Sequence, residues 1–220
     1  MNKGDFKFED VSEQAGLINN RWGTGATMVD INQDGFLDIY VCVSGGAKVS
    51  ERANMLYINN GPSSSGQITF TEKAAEYGLA DTRQSMHAAF FDYDKDNDLD
   101  MYLLVNPAAY EYQVNSSLPR KINGESISND RLYRNNGTSK VSGQVTFTDV
   151  STEAGILVEG SGSGVAISDI NDDNWPDIYI SNDFIGNDIL YINQKDGTFK
   201  NEISKRINHT SYAGMGNDVS

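Results

Sequence analysis

A nine-residue acidic segment occurs three times in the chain, with oxygen-bearing side chains at its first, third, fifth and ninth positions. The copies occupy residues 30–38, 92–100 and 169–177. The sixth position, where the chain must turn, is Gly35, Asn97 or Asn174. Glycine and asparagine are the residues that most readily adopt a positive φ. A tight loop with this many carboxylates predicts a binding site for a hard cation, which takes roughly six to eight oxygen ligands.

Each acidic loop predicts one Ca²⁺ ion, bound by the side chains at positions 1, 3, 5 and 9 and the main-chain carbonyl of position 7. The predicted ligands of the first loop are Asp30, Asn32, Asp34, Asp38 and the carbonyl of Phe36. Those of the second loop are Asp92, Asp94, Asp96, Asp100 and the carbonyl of Asp98. Those of the third loop are Asp169, Asn171, Asp173, Asp177 and the carbonyl of Trp175.

The segments that follow the loops exclude an EF-hand. An EF-hand carries a bidentate glutamate at loop position 12, on a helix, whereas position 12 here is Val41, Leu103 or Ile180. Short apolar runs, rich in β-branched and aromatic residues, precede and follow each loop, so we predict a strand on both sides. The predicted strands cover residues 25–29 and 39–43, 87–91 and 101–105, and 164–168 and 178–180.

Other phrases recur in the same order, so the chain is a repeat array. A Leu-Tyr-x-Asn phrase begins at Leu56, Leu132 and Leu190, and a Phe-containing phrase begins at Phe8, Phe70 and Phe147. The loops start 62 and 77 residues apart. Repeats of this length, with about four short strands each, predict the blades of an all-β propeller, whereas an ordinary β-sandwich lacks such long-range register. The approximate units are 1–17 as the end of a preceding blade, 18–79, 80–156 and 157–209 as three repeats, and 210–220 as the start of a further repeat.

Both ends of the sequence fall inside repeats. Met1–Gly4 aligns with Ile58–Gly61, and Gly214–Ser220 aligns with Gly162–Ser168, so a fourth acidic loop would begin after Ser220. We therefore expect a fragment, an arc of about three blades whose remaining blades belong to a longer chain. An isolated arc is expected to associate through its open strand edges.

The charge of the chain is concentrated in the loops. There are 31 acidic and 17 basic residues, a formal net charge of −14, and twelve of the acids lie in the three loops. Three Ca²⁺ ions would change this charge from −14 to −8. The sequence contains no basic patch, so nucleic acid is not an expected partner. It also contains no signal peptide and no apolar run of about 18 residues, so we predict no membrane span in this segment.

The loops and phrases resemble FG-GAP or VCBS-type repeats, the calcium-loop blades also found in the integrin α-chain propeller. The Leu-Tyr-x-Asn and Phe-x-Asp/Glu-Val-Ser-x-x-Ala-Gly phrases are similar to those of bacterial surface proteins related to the cartilage acidic protein and ASPIC/UnbV group. The resemblance covers nearly the whole chain. It implies an exported, often lipid-anchored protein on the bacterial surface with about seven or eight blades, and it implies no reaction. The family prefers glycine at loop position 6, and Asn97 and Asn174 depart from that pattern.

Two classes of function fit these features. The first is a non-catalytic binding or adhesion scaffold, stabilised by calcium in a calcium-rich extracellular location, with a protein or glycan partner that the sequence does not identify. The alternative is part of a calcium-loop propeller enzyme such as a polysaccharide lyase, which needs a base and a charge-neutralising group in one cleft. The sequence has no Ser-His-Asp arrangement, no zinc-ligand spacing and only two histidines, so we predict that the segment is not an enzyme.

The second repeat contains an insertion that bears on the partner. It is 15 residues longer than the first, and the excess lies within 107–121. Long loops on rigid scaffolds often bind ligands. The insertion either contacts a ligand or covers a neighbouring blade. The candidate contact residues are Tyr110, Tyr112, Arg120 and Lys121.

Overall fold

The structure is a computed structural model that describes residues 1–46, 48–106, 119–139, 143–183, 186–211 and 213–218. It is all-β, with three four-stranded antiparallel sheets. In each sheet the strands pair in chain order, so each sheet is a simple meander. The expectation of about four short strands per repeat is therefore confirmed. Tyr110 and Tyr112 of the insertion lie outside the described residues.

The strands have the following bounds. The first sheet contains β1 (Gly23–Val29), β2 (Asp38–Val43), β3 (Met55–Pro62) and β4 (Ile68–Glu72). The second contains β5 (Ser85–Phe91), β6 (Asp100–Val105), β7 (Arg131–Thr138) and β8 (Val145–Asp149). The third contains β9 (Gly162–Ser168), β10 (Asp177–Asn182), β11 (Ile189–Asn193) and β12 (Phe199–Asn201). The described helices are a 3-10 turn (Val49–Arg52) and two short α-helices, α1 (Ala74–Tyr77) and α2 (Ile203–Arg206).

The sheets stack face to face because the middle strands are apolar on both sides. Successive side chains of a strand point to opposite faces. In β6, Met101 and Leu103 belong to the core shared with the first sheet, whereas Tyr102 and Leu104 belong to the core shared with the third. All six residues of β6 are buried. The continuous apolar run of this strand therefore reflects a sheet that is covered on both faces.

The first strands of the three sheets lie side by side: β1 contacts β5, and β5 contacts β9. The Thr24 hydroxyl donates to the Ser85 carbonyl (2.6 Å), and the Thr27 hydroxyl donates to the Ala88 carbonyl (2.8 Å). A Cβ atom on Gly25 would lie 2.4 Å from the carbonyl oxygen of Met86. Glycine at this position is what allows the two strands to approach so closely.

A repeated Ala-Gly or Tyr-Gly turn braces each sheet from the preceding repeat. The glycines of this turn are Gly16, Gly78 and Gly155, with φ values of +79°, +78° and +79°. A Cβ atom on them would lie 2.8, 2.8 and 2.7 Å from the carbonyl oxygens of Phe70, Phe147 and Phe199, respectively. The amides of Phe70 and Phe199 donate to the carbonyls of Ala15 and Ala154, each at 2.8 Å. The turn that ends one repeat thus supports the fourth strand of the next sheet.

A second repeated contact closes the sheets at the end opposite the acidic loops. An Asn or Asp just before the third strand accepts a hydrogen bond from the amide of the last residue of the second strand. The pairs are Asn54 with Val43, Asp130 with Val105 and Asp188 with Asn182, at 2.8, 2.8 and 2.9 Å. The same side chain bonds to a tyrosine hydroxyl of the second strand: Tyr40, Tyr102 or Tyr179.

The described end of the insertion lies in the contact between the second and third sheets. The Arg120 guanidinium donates to the carbonyls of Glu159 and Asn187, and the Lys121 amide donates to the Glu159 carboxylate (2.6 Å). Burial lowers the pKa of Arg120. The Arg120 side chain therefore joins two repeats, which agrees with the covering role that we considered for the insertion.

We predict that Gly155→Ala lowers the free energy of unfolding by roughly 3 kcal/mol, because the new methyl group meets the Phe199 carbonyl in addition to the strain of positive φ. The matched control is Gly197→Ala, where φ is +85° but nothing lies within 4 Å of the added Cβ. The control should lower the free energy of unfolding by only about 1 kcal/mol, because it adds the strain of positive φ without a steric contact. Urea unfolding measures both values, and equal losses would contradict the bracing role.

We predict that Asp130→Asn removes a pH dependence of stability. Burial raises the pKa of Asp130 to about 7, against the opposing effect of hydrogen bonds from the Val105 amide and the Tyr102 hydroxyl. The folded state therefore holds the proton more tightly than the unfolded state, whose aspartate pKa is about 4. The stabilisation that results from this raised pKa is complete below pH about 4, and it is lost as the pH rises through about 7.

The asparagine variant should accordingly be more stable than the wild type above pH about 7, and this advantage should shrink on acidification. Asn54 occupies the equivalent site of the first sheet, so an amide is compatible with the fold. Melting temperatures measured across this pH range provide the test. Parallel curves for the two proteins would show that Asp130 does not carry the effect.

Candidate metal centre

The three acidic loops connect the first and second strands of their sheets and lie next to one another. The Gln33 amide group of the first loop donates to the Asn97 carbonyl of the second (2.8 Å). The Lys95 ammonium of the second loop lies 5.0 Å from the centroid of the Trp175 ring in the third. Equivalent connections in adjacent sheets thus bring the predicted site residues of all three repeats to one edge of the molecule.

The aspartate at position 1 folds each loop by the same pair of hydrogen bonds. The Asp30 carboxylate accepts from the amides of Asp34 (3.0 Å) and Gly35 (2.9 Å). Asp92 accepts from the amides of positions 5 and 6 at 3.1 Å each, and Asp169 does so at 2.9 and 2.6 Å. The position-5 aspartate in turn accepts from the position-7 amide in every loop.

The backbone of each loop enters the left-handed region twice. Position 6 has positive φ as predicted, with +88° at Gly35, +73° at Asn97 and +66° at Asn174. Position 4 has positive φ as well, although its residues give no hint of it. They are Gln33 (+57°), Lys95 (+62°) and Asp172 (+58°). Non-glycine residues rarely adopt this conformation, so the hydrogen bonds to position 1 must stabilise it.

The aspartate at position 9 is fully buried in all three loops. One carboxylate oxygen accepts from the amide of loop position 2, at 3.0 to 3.1 Å. The other oxygen accepts a hydrogen bond from the main-chain amide of an asparagine on the third strand, at 2.8 to 2.9 Å. Burial raises the pKa of Asp38 and Asp177, and it raises that of Asp100 to about 8. This carboxylate therefore joins loop, second strand and third strand.

The asparagine that supports position 9 is the last residue of the Leu-Tyr-x-Asn phrase, and sequence reasoning assigned it no role. These residues are Asn59, Asn135 and Asn193. Each side chain also donates to the carbonyl of loop position 8, at 3.1 to 3.3 Å. Asn193 donates in addition to the Tyr93 carbonyl of the second loop (2.9 Å). The recurrence of the phrase after every loop was a sequence signal that this asparagine has a repeated role, although the phrase does not say which group it contacts.

The second loop contains the closest group of carboxylates. Asp92, Asp94 and Asp100 place one oxygen each within 4.8 Å of one another. This group does not include Asp96, whose carboxylate accepts from the Asp98 amide (3.0 Å). The buried oxygens Asp94 Oδ1 and Asp98 Oδ1 have no hydrogen-bond partner. Unsatisfied buried oxygens beside other carboxylates are the environment that a cation would satisfy, so the residues of this loop fit a metal ion.

The carboxylates of the second loop raise one another's pKa. Burial, followed by the charge of Asp96, raises the pKa of Asp98 to about 6. Burial and the same neighbour raise the pKa of Asp94. Both effects disfavour the ionised form. Without a cation the loop is therefore electrostatically strained at neutral pH.

The first and third loops are less crowded because position 3 is an asparagine. The amide group of Asn32 donates to Asp34 (2.9 Å), and that of Asn171 donates to Asp173 (3.1 Å). In the third loop the Lys195 ammonium also lies 3.2 Å from Asp173 Oδ2. Burial acts to raise the pKa of Asp173, but hydrogen bonds from Trp175, Lys195 and Asn171 outweigh it and lower the pKa. These loops thus partly satisfy their own charge.

The comparisons with known proteins give no assignment. No protein-family model matches the chain, and no curated protein matches it. The helices in the described part of the chain are all too short or too polar to cross a membrane.

We predict that Asp94→Asn stabilises the metal-stripped protein at neutral pH, since it removes one charge from the crowded group and makes position 3 the same as in the other loops. The advantage should fade as the pH falls toward about 4, where the carboxylates of the wild type become protonated. Melting curves of metal-stripped protein across this range measure it. Glu13→Gln, an exposed site with the same charge change, is the control. A similar gain in the control would assign the effect to net charge.

Proposed function

We propose that the chain is a calcium-binding segment of a β-propeller that acts as a non-catalytic binding or adhesion scaffold outside the cell. The observation that carries the proposal is the second loop, where the carboxylates of Asp92, Asp94 and Asp100 converge and two buried oxygens, on Asp94 and the nearby Asp98, lack hydrogen-bond partners. The hydrogen bonds that fold the second loop recur in the first and third. The proposal therefore extends to one ion per loop.

Calcium suits these loops better than magnesium. Calcium accepts irregular sets of carboxylate, amide and carbonyl oxygens, whereas magnesium demands a tight octahedron. The ion would be held by positions 1, 3, 5 and 9 and the carbonyl of position 7, as in the ligand sets given above. Its chemical contribution is to neutralise the carboxylates and to fix the end of the first strand to the start of the second.

The arrangement of the sheets supports the propeller part of the proposal. Three four-stranded meanders stack through their faces, with their first strands adjacent. The Ala-Gly or Tyr-Gly turn makes the same contact at Phe70, Phe147 and Phe199. A repeated contact between successive units is what a radial array of blades requires.

A scaffold fits the described residues better than an enzyme does. The carboxylates that converge are engaged by loop amides and by the proposed ion. The two histidines lie apart in the chain, His87 on β5 and His209 beyond α2. The likeness to exported bacterial surface repeats supports an extracellular or outer-membrane location with a protein or glycan partner. Incubation with a panel of polysaccharides tests the alternative, because a lyase would release unsaturated sugars.

We predict that metal-stripped protein binds about three Ca²⁺ ions in calorimetry, and that Asp34→Ala removes one of them. Bound calcium should raise the melting temperature, since a ligand at a hundredfold excess over Kd adds about 2.7 kcal/mol per site to the free energy of unfolding. Magnesium at equal concentration should have a much smaller effect. The control Glu13→Ala should keep full stoichiometry.

Two outcomes would overturn the proposal. If calorimetry detects no calcium uptake and the melting curve ignores both calcium and chelator, the loops are ordinary turns. If unsaturated products accumulate from a polysaccharide, the non-catalytic role is wrong even though the calcium sites stand.

A further inference from the structure

The three repeats place a left-handed residue two positions after the supporting asparagine, but its identity differs in the third. The residue is Gly61 in the first repeat, Gly137 in the second and Lys195 in the third. Their φ values are +71°, +69° and +66°. In each case its amide donates to the side-chain oxygen of the asparagine, at 3.0, 2.9 and 2.8 Å. The backbone conformation at this position is thus the same in all three repeats. Lys195 adopts it although the left-handed conformation is unfavourable for residues that carry a side chain.

This position faces the acidic loop. A Cβ atom on Gly61 would lie 3.1 Å from the Phe36 ring, and one on Gly137 would lie 3.7 Å from Asp98 Oδ2. Both neighbours occupy loop position 7. In the third repeat the Lys195 ammonium lies 3.2 Å from Asp173 Oδ2 and 3.4 Å from the Asp173 carbonyl. The lysine therefore brings a positive charge onto a predicted calcium ligand.

We propose that Lys195 is a built-in counter-cation of the third loop, which occupies Asp173 in the metal-free protein and weakens calcium binding at that site. The proposal rests on the proposed function of the loops as calcium sites. Calcium must displace the ammonium or bind beside it, whereas the first and second loops have glycine at the equivalent position. The third loop should therefore fill last, at the highest calcium concentration.

The charges around the loops agree with this order. The partnerless buried oxygens that we find in the described residues of the loops belong to the second loop, and none belongs to the third. The Lys195–Asp173 pair is partly exposed, with 45% and 23% of the side-chain surfaces accessible. Exposed ion pairs are weak. We therefore expect removal of the charge to tighten calcium binding at the third loop by roughly threefold to tenfold, the range that a screened unit charge gives.

Trp175 makes the third loop separately observable in the whole chain. It occupies position 7 of that loop, and the chain contains one other tryptophan, Trp22, near the start of the first sheet. In a Trp22→Phe background, Trp175 is the one tryptophan left. Because Lys95 of the second loop lies 5.0 Å from its ring, Asp96→Ala is added to the background to empty that neighbouring loop, and tryptophan excitation then reports the third loop. Terbium, an ion with similar oxygen ligands, gives sensitised luminescence when it binds beside Trp175, and added calcium displaces it. The probe ions are thus terbium and calcium themselves.

Three variants test the proposal in this background. Lys195→Gln keeps the backbone strain and removes the charge, and Lys195→Gly introduces the residue of the other two repeats. Lys200→Gln removes an equal charge from an exposed position on β12 of the same sheet. Circular dichroism and melting curves confirm that each variant folds. Total calcium binding is measured in parallel by calorimetry.

We predict that both Lys195 variants lower the calcium midpoint reported by Trp175 by roughly threefold to tenfold, while Lys200→Gln leaves it unchanged. An unchanged midpoint in folded Lys195 variants would overturn the role of Lys195, as would an equal shift in the Lys200 control. Absence of any calcium binding in calorimetry would instead refute the calcium sites themselves. The two failures are therefore distinguishable.

Discussion

The buried carboxylate at the ninth position of each acidic loop is the contact on which the local structure depends. The carboxylate accepts one hydrogen bond from an amide within its loop and one from an amide on the third strand. A single side chain therefore joins the loop, the second strand and the third strand. A carboxylate in an apolar environment is costly unless hydrogen bonds or a cation compensate it. The two amides supply part of that compensation. A cation held by the same loop would supply the rest.

The stacking of the sheets likewise depends on a small number of repeated contacts. The middle strands are apolar on both sides, so each sheet completes the cores of its neighbours. Close approach then requires glycine at defined points, such as Gly25 between the first strands of two sheets and Gly155 beneath Phe199. Apolar burial stabilises the stack, and the glycines and hydroxyl contacts determine its register.

Much of this architecture could be predicted from the sequence, and the reasons are physical. The strands beside the loops were predictable because their apolar runs recur around a fixed acidic pattern. The turn at position 6 was predictable because glycine and asparagine tolerate positive φ. Position 4 was not, because glutamine and lysine rarely adopt positive φ, whereas Gln33 and Lys95 do so here.

Contacts between strands of one sheet and contacts between repeats were also beyond sequence reasoning. The asparagine of the Leu-Tyr-x-Asn phrase was recognised as a repeated residue, but its bond to the position-9 carboxylate depends on how β3, β7 and β11 pair with their neighbours. The role of Arg120 between two sheets likewise needs the tertiary arrangement. Repetition in a sequence indicates that a residue matters, and only the fold indicates what it contacts.

The bracing turn has a consequence for how such a chain can change its length. Each sheet is supported by the turn that belongs to the repeat before it, so the boundary of a sequence repeat and the boundary of a supported sheet are offset. Loss or duplication of one whole repeat joins a turn to a new fourth strand that carries phenylalanine at the same place. The turn of any repeat can therefore pack against the fourth strand of whichever repeat follows it. Such an array can gain or lose units by recombination and preserve the contact between the turn and the fourth strand at the seam.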